Sequence, residues 1–393
     1  MLLAIRYPKF AAKYISAVGL LICFAQYTRA QDPSPTPAPV DLNIVAHQDD
    51  DILFMNPDIL NSVVAGHRQV TVYITSGSLN DEAYARTREA GAIAGYQKLL
   101  QLADAIIADP NHFNDFTGSF DRDSRFPASC VDNCFSCDPH AVELSTPGTA
   151  SVDCPTPCPL HIGSRDLAVT KIADGPGGPR VMLIFLRVQV PCAVDGNYTC
   201  PNQVDLAELF TSGDPQLQIK SDFPDDPHDP DYTPPYTKRQ LIKQLVDILN
   251  FVQPNKVRTQ DPAKGVVVDA PNTLFIPDLG CDTCAGLSNF YDHSDHVAGA
   301  KFARQAIVRY DNQPNSQTQP SYFTYKGYNL EWNEAPRTRL SAKYFCLKKS
   351  ILFNYALNDG QFALCSTFPA ENGFNCFSYE NIGYQEGQQR QSP

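Results

Sequence analysis

The feature that most constrains this chain is a dense group of ionisable side chains directly after a short apolar run. Residues 42–45 (LNIV) predict a buried strand, and residues 46–51 follow with the sequence AHQDDD. A histidine and three successive carboxylates at a strand end are costly unless a positive charge lies among them. In an open α/β sheet, ligands bind at this carboxyl end of the strands. The pattern therefore predicts a divalent metal ion near His47.

A second group of similar composition lies far downstream, at residues 292–296 (DHSDH). His47, Asp50 and His296 would give two imidazoles and one carboxylate, a set that leaves a fourth position on a catalytic zinc for water. Calcium is the main alternative, because runs of aspartate suit it, but paired histidines favour zinc. We predict that the two groups meet in space around one zinc ion.

The neighbouring residues suggest how such a site would react. Zinc lowers the pKa of its bound water to about 7, and Asp49 is well placed to accept the proton. His293, three positions before His296, is predicted to stabilise the oxyanion formed from an amide carbonyl or to protonate the leaving amine. Asp51 and Asp295 are predicted to orient the imidazoles.

The N-terminus has the pattern of a secretory signal peptide. Residues 1–30 contain four basic side chains, no acidic ones, and an apolar run that is short for a membrane span. We expect cleavage and secretion; the alternative is an uncleaved segment that holds the protein in the endoplasmic reticulum. Removal of residues 1–30 takes the formal net charge from −12 to −16. Such an acidic chain is a poor partner for nucleic acid or an anionic membrane surface.

The cysteines agree with export to an oxidising compartment. Of 13 cysteines, Cys23 lies in the signal segment, which leaves an even twelve and up to six disulfides. Cysteines spaced C-x3-C-x2-C at 130–137 and C-x3-C at 154–158 also fit a structural zinc site, which we keep as the alternative. A glycosylation sequon at Asn197 is weak additional support for secretion.

Strand and helix patterns alternate along the chain. Apolar or β-branched runs predict strands at 70–75, 181–186 and 256–259, and regular structure of unassigned type at 166–172. Helical spacing predicts helices at 57–66, 81–102, 238–252, 295–305 and 342–355. Ser294 or Asp295 is expected to cap the fourth of these helices, which puts His296 in its first turn. This order predicts an α/β, Rossmann-like three-layer fold with a mostly parallel sheet.

Several segments fall outside the alternation. Residues 31–39 form a proline-rich linker before a domain at 40–360. Within that domain, residues 110–163 predict a Cys-rich surface insertion, and residues 213–236 predict a long exposed loop or a lid. A Cys-containing extension at 361–393 follows the domain, with a frayed end from residue 385.

The two groups together resemble the paired signatures of the PIG-L/LmbE-like zinc-dependent N-deacetylases, which are usually AHPDDE and HxDH. The resemblance covers most of the chain from Leu42 to about Tyr355 and includes TREAG at residues 87–91. Two departures are present: Gln48 replaces the usual proline, and Asp51 replaces the usual glutamate.

The resemblance implies a role for each matching residue. It puts the zinc ligands at His47, Asp50 and His296. It puts the general base at Asp49 and the transition-state-stabilising histidine at His293. Arg88, in the TREAG segment, is a candidate for substrate binding, and a solvent-facing helix position is the plainer alternative.

We therefore expect a metal-dependent hydrolase that removes the N-acetyl group from an N-acetylglucosamine-containing glycan. The alternative within the family is the N-acetylglucosaminylphosphatidylinositol deacetylase of GPI-anchor biosynthesis, whose substrate faces the cytosol. The alternative from another class is a non-catalytic secreted carbohydrate-binding protein. No G-x-G-x-x-G follows the first strand and no G-x-S-x-G occurs, which argues against a dinucleotide enzyme and a serine hydrolase.

Overall fold

One central sheet organises the part of the chain that the structure describes. This computed structural model describes residues 37–78, 81–111, 113, 151–175, 178–190, 203–224, 229, 231–262, 293–314, 319–327, 340–359 and 387–390. All the elements below belong to the unit Pro39–Pro393. The predicted signal peptide, Asn197 and most of the cysteines lie outside the described residues.

The central sheet is mostly parallel. Its strands are β1 (Val40–Val45), β2 (Arg68–Thr75), β3 (Val152–Ile162), β4 (Arg165–Gly175), β5 (Gly178–Val188), β8 (Lys256–Gln260), β9 (Ser321–Tyr325) and β10 (Gly387–Arg390). They lie in the order β10-β9-β8-β1-β2-β5-β4-β3. The five strands from β9 to β5 are parallel, while β10, β4 and β3 pair antiparallel. Two short strands, β6 (Gln218–Ile219) and β7 (Tyr236–Thr237), form a separate pair that brackets most of the loop predicted at 213–236.

Helices cover both faces of this sheet. They are α1 (Asp50–Phe54), α2 (Asp58–Val64), α3 (Glu82–Ala108), α4 (Leu206–Thr211), α5 (Lys238–Val252), α6 (Ser294–Asp311) and α7 (Ala342–Ala356). Apolar residues of α1, α2, α3 and α7 pack with Val45 on one face, and those of α4, α5 and α6 pack with Ile44 on the other. Adjacent strand residues point to opposite faces, so two cores form. The predicted three-layer α/β fold is confirmed. Among the described helices, none is both long and apolar enough to cross a bilayer.

Part of the predicted insertion at 110–163 belongs instead to the sheet. Residues Val152–Ile162 form β3, which pairs with β4, and the register shifts between Asp153 and Cys158. A disulfide joins Cys154 to Cys158 across this irregularity, so this pair is oxidised rather than free for the alternative zinc site. The sequence predicted a loop instead of this strand, because prolines and cysteines at such density normally indicate loops. Residues 114–150 lie outside the described residues.

The C-terminal end also differs from the expectation of a frayed tail. Gly387–Arg390 pairs antiparallel with β9 as strand β10. The segment is polar and has no apolar period of its own. Its main-chain groups form hydrogen bonds with the edge of β9. Pairing of this kind depends on a distant strand, so the local sequence pattern does not predict it.

A buried arginine ties β8 to β1 and α2. Arg258 is fully buried; its Nε donates to Asp58 Oδ2 at 2.6 Å, and its Nη2 donates to Ser62 Oγ at 2.6 Å. Nη2 also lies 3.0 Å from Asp41 Oδ2, and Nη1 donates to Asn43 at 3.3 Å. A guanidinium is tolerated in a core only when acceptors surround it in this way.

Replacing Arg258 should therefore destabilise the whole fold. We expect Arg258→Met to lower the free energy of unfolding by about 3 kcal/mol or more, because Asp41 keeps its buried charge without the guanidinium. Urea denaturation measures the change. Arg239→Met, on the exposed side of α5, is the matched control and should stay within about 0.5 kcal/mol of wild type. Equal stability of the two variants would contradict the structural role of Arg258.

The same network predicts a pH dependence. Burial raises the pKa of Asp58, but Arg258 outweighs it and the net pKa is lowered. A lowered carboxyl pKa gives stability that is present above the ordinary value of about 3.9 and is lost as pH falls through the folded-state value. The difference in free energy of unfolding between wild type and Asp58→Asn should thus shrink below about pH 3.9. Urea titrations at a series of pH values measure it; a constant difference would contradict this assignment.

Candidate metal centre

The first group of ionisable residues begins where β1 ends. Residues 46–49 lead into α1, whose first turn carries Asp50 and Asp51. β1 has β2 on one side and β8 on the other, so the order of strands reverses between β1 and β8. A reversal of this kind opens a crevice at the carboxyl ends of the strands. His47 and its neighbours lie at that crevice.

The second group reaches the same place from the start of α6. His293 is the N-cap of α6, and its Nδ1 accepts a hydrogen bond from the Asp295 amide at 3.2 Å. The predicted cap, Ser294 or Asp295, was displaced by one or two positions because an imidazole nitrogen can accept the amide as a hydroxyl or carboxylate does. His296 lies in the first turn, as predicted, and is fully buried.

The structure brings the two groups together, as predicted. His47 Nδ1 lies 3.2 Å from His296 Nε2, although the residues are 249 positions apart. Asp50 reaches both imidazoles: Oδ1 lies 3.0 Å from His296 Nε2, and Oδ2 lies 3.5 Å from His47 Nδ1. The side chains of these three residues are at most 10% exposed. Two imidazole nitrogens and the two oxygens of one carboxylate thus converge among side chains that are almost wholly buried.

The spacing of these atoms fits a cation. Zinc–ligand bonds of about 2.0–2.2 Å at tetrahedral angles put neighbouring donor atoms about 3.4 Å apart. The two imidazole nitrogens lie 3.2 Å apart, and each lies near a different oxygen of Asp50, at 3.0 Å for Oδ1 and 3.5 Å for Oδ2. In addition, Asp50 Oδ1 is fully buried and faces His296 Nε2 at 3.0 Å. A buried anionic oxygen is stabilised if a positive charge faces it.

The pKa shifts of the same residues indicate a preference for positive charge. Burial lowers the pKa of His47, but Asp50 and Asp295 outweigh it and raise the pKa overall. Burial raises the pKa of Asp50, but His296 and His47 outweigh it and hold the pKa well below its ordinary range. Both directions favour a carboxylate anion with a cation beside it.

His293 offers a further nitrogen to this pocket. His47, His293 and His296 place nitrogen atoms within 4.8 Å of one another, close enough to bind a metal ion. The His293 side chain is 29% exposed, whereas His296 is fully buried. Burial nonetheless lowers the pKa of His293 to about 4, so the imidazole is neutral at neutral pH. Two donor sets are therefore available, one with Asp50 and one with His293 as the third ligand.

The two carboxylates predicted to orient the imidazoles have different surroundings. Asp295 Oδ2 lies 3.4 Å from His47 Nε2, on the ring edge opposite Nδ1. Asp51 instead accepts hydrogen bonds from the Tyr96 hydroxyl at 2.6 Å and the Tyr73 hydroxyl at 3.2 Å. Burial raises the pKa of Asp51 to about 7, against the Tyr96 hydrogen bond. Asp51 therefore connects α1 to β2 and α3, not to an imidazole.

Arg88 lies next to the predicted base. Its Nη2 donates to Asp49 Oδ1 at 2.5 Å, and only 11% of the arginine side chain is exposed. Burial raises the pKa of Asp49, while Arg88 opposes that rise. The plainer alternative, a solvent-facing arginine, is wrong, and substrate binding by Arg88 stays a prediction.

Sequence reasoning missed the partners that hold these residues. Gln48 donates from Nε2 to the Thr75 carbonyl at 2.9 Å, and this bond joins the loop after β1 to the end of β2. Tyr73 and Tyr96 bind Asp51 from 22 and 45 positions away. A polar side chain within an otherwise apolar strand or helix face, such as Tyr96, was the one available signal.

Comparisons with known proteins add little to this geometry. No family model matches the chain, and no curated protein matches it. Among solved structures, the chain is similar to GalB, the 4-carboxy-2-hydroxymuconate hydratase from Pseudomonas putida KT2440. That similarity has a TM-score of 0.33 and 11% identity, and covers 81% of this chain and 83% of the hydratase.

Two substitutions distinguish the donor sets. We expect Asp50→Asn to weaken zinc affinity by more than the roughly 10- to 100-fold that loss of an outer hydrogen-bond partner costs, because a charged ligand is removed. His293→Ala should keep its zinc. Titration against a competing chelator, with metal analysis of the dialysed protein, measures both. His161→Ala, an exposed histidine on β3, is the control. Zinc loss in His293→Ala with retention in Asp50→Asn would select the three-histidine set.

Proposed function

We propose that this protein is a zinc-dependent hydrolase of the PIG-L/LmbE-like N-deacetylase type, with His47, Asp50 and His296 as the metal ligands. The observation that carries the proposal is the convergence of two imidazoles on one carboxylate. The ring nitrogens of His47 and His296 lie 3.2 Å apart, and each lies near a different oxygen of Asp50, at 3.5 and 3.0 Å. Separations of this size are close to the roughly 3.4 Å between neighbouring donor atoms of a tetrahedral zinc site. Two imidazoles and one carboxylate also match the ligand types of hydrolytic zinc enzymes.

When bound, zinc acts as a Lewis acid and lowers the pKa of a coordinated water to about 7. Asp49, one position before Asp50, is the base that takes the proton. Arg88 binds its Oδ1 and leaves Oδ2 available to accept that proton. Once water has added to the amide carbonyl, the C–N bond breaks and the nitrogen takes the proton. The products are acetate and a free amine.

His293 is suited to stabilise the developing oxyanion. Because the Asp295 amide donates to its Nδ1, the proton of the neutral ring is on Nε2. His293 can then donate a hydrogen bond from Nε2 to the oxygen of the attacked carbonyl. This favours the oxyanion role over the alternative of protonating the amine.

Asp295 supports the orientation of His47. An acceptor at the Nε2 edge of the imidazole would hold the ring so that Nδ1 is available to a bound zinc, and would raise the basicity of Nδ1. The 3.4 Å separation between Asp295 Oδ2 and His47 Nε2 is consistent with such a pair.

The substrate class follows from the resemblance of residues 46–51 and 293–296 to the family signatures. We propose an N-acetylglucosamine-containing glycan, and a secreted protein that meets it outside the cytosol. The substrate of the deacetylase of GPI-anchor biosynthesis carries the same acetamido group. That substrate is therefore tested separately.

The test is acetate release by the zinc-loaded, full-length protein. We expect release from N-acetylated chitooligosaccharides, and a fall of at least about 100-fold in kcat for Asp49→Asn with zinc content unchanged, because the base is lost. Asp174→Asn, an exposed aspartate on β4, is the matched control.

Each other result has a definite meaning. Release only from N-acetylglucosaminylphosphatidylinositol in vesicles would move the substrate to the GPI pathway. Glycan binding without any acetate release by zinc-loaded wild type would contradict the hydrolase and favour the carbohydrate-binding alternative. An Asp49→Asn variant with full activity would remove Asp49 from the mechanism.

A further inference from the structure

Arg88 is held from three sides. Besides its bond to Asp49, Nη1 donates to the Gly77 carbonyl at 2.9 Å and Nε donates to the Tyr355 hydroxyl at 3.0 Å. These partners come from the loop after β1, the loop after β2 and the end of α7. A guanidinium is planar and has its donors in fixed directions, so three such contacts define its position.

A second carboxylate lies behind Arg88. Asp359, three residues beyond the end of α7, has a side chain that is only 1% exposed, and its Oδ2 lies 3.5 Å from Arg88 Nε. The Tyr355 hydroxyl donates to that same oxygen at 2.6 Å. Tyr355 thus accepts from Arg88 and donates to Asp359, so the three side chains form one chain of hydrogen bonds that ends on Asp49.

The close approach of α7 to α3 makes this chain possible. A Cβ added at Gly91 would lie 2.9 Å from the Tyr355 ring and from its carbonyl oxygen. Gly91 is three residues after Arg88, on the same face of α3. A glycine there allows Tyr355 to lie against α3, within hydrogen-bond distance of the guanidinium.

We propose that Asp359 and Tyr355 are positioning residues for Asp49, and that they act through Arg88. The inference rests on the proposed hydrolase function, in which Asp49 is the base. Without Tyr355 and Asp359, Arg88 can turn towards solvent. It can also pull Asp49 away from the position in which Asp49 would accept a proton from the attacking water. Displacement of a catalytic group by about 1 Å costs up to about 100-fold in rate.

The plain structural alternative gives a different result in a double-mutant cycle. If Asp359 only stabilises α7, its loss should have the same effect whether or not Arg88 is present. If it acts through Arg88, the two losses should not add, because residues in one hydrogen-bonded network are coupled.

The experiment compares Asp359→Asn, Arg88→Ala and the double variant as full-length, zinc-loaded proteins, with an N-acetylated chitooligosaccharide as the probe. We expect Asp359→Asn to lower kcat by about 10- to 100-fold with KM and zinc content nearly unchanged. In the Arg88→Ala background the same substitution should change kcat less than about twofold. Multiplicative effects of the two substitutions on kcat would overturn the proposal.

A second variant, Tyr355→Phe, removes only the bridging hydroxyl and keeps the proposal testable if Asp359→Asn folds poorly. It should lower kcat as Asp359→Asn does, and full kcat in Tyr355→Phe would also overturn the proposal. Asp174→Asn is the control for loss of a charge elsewhere.

A crystal structure separates this inference from the proposed function. In zinc-loaded Asp359→Asn or Tyr355→Phe, the guanidinium of Arg88 should leave its present position or lose its bond to Asp49. If it stays in place, the positioning role is wrong even if wild type releases acetate. If wild type releases none, the hydrolase proposal fails, while the position of Arg88 still decides whether Asp359 and Tyr355 orient Asp49.

Discussion

Three successive aspartates are buried at the end of one strand, and each must find a counterpart in the fold. Asp49, Asp50 and Asp51 are at most 7% exposed. Ionised carboxylates in such surroundings cost several kcal/mol each unless partners compensate them. The structure gives each a different partner: a guanidinium for Asp49, two imidazoles for Asp50, and two phenol hydroxyls for Asp51. One stretch of sequence therefore supplies three groups with different proton affinities and different chemistry.

The sheet topology explains why these partners can be collected. β1 is central, and the chain leaves it first towards β2 and β5 and later towards β8 and β9. The residues directly after β1 and β2 and the first turn of α6 thus lie around a single crevice. His296 lies on α6, the described helix that follows β8 in the sequence. Arg88 lies on α3, which follows β2, and Tyr355 lies on α7, the last described helix in the sequence. The parallel sheet is what makes residues hundreds of positions apart into neighbours.

Much of this was predictable, and the limits are physical. Buried strands such as β5 stand out as apolar runs, because a parallel strand is covered on both faces. The approach of His47 to His296 was predictable from two His/Asp groups, one after a strand and one at a helix start, because a single cation between them would compensate the carboxylates of both. The partners of Asp51 and Arg88 were not, since hydrogen bonds between distant side chains leave no periodic signal. β3 was hidden because Pro155 and Pro157 lie within it, and local propensity argued for a loop.

Those same prolines affect whether a strand of another molecule can pair with β3. β3 is the last strand on its side of the sheet in the described part of the chain. A bare edge strand offers its amide groups to any other extended chain, which is how sheets from separate molecules fuse into aggregates. Proline has no amide hydrogen, and the disulfide between Cys154 and Cys158 holds the strand in a bulge there. A second molecule can form few backbone hydrogen bonds along residues 154–158, so the residues that made β3 look like a loop in the sequence also disfavour pairing of this stretch with a further strand.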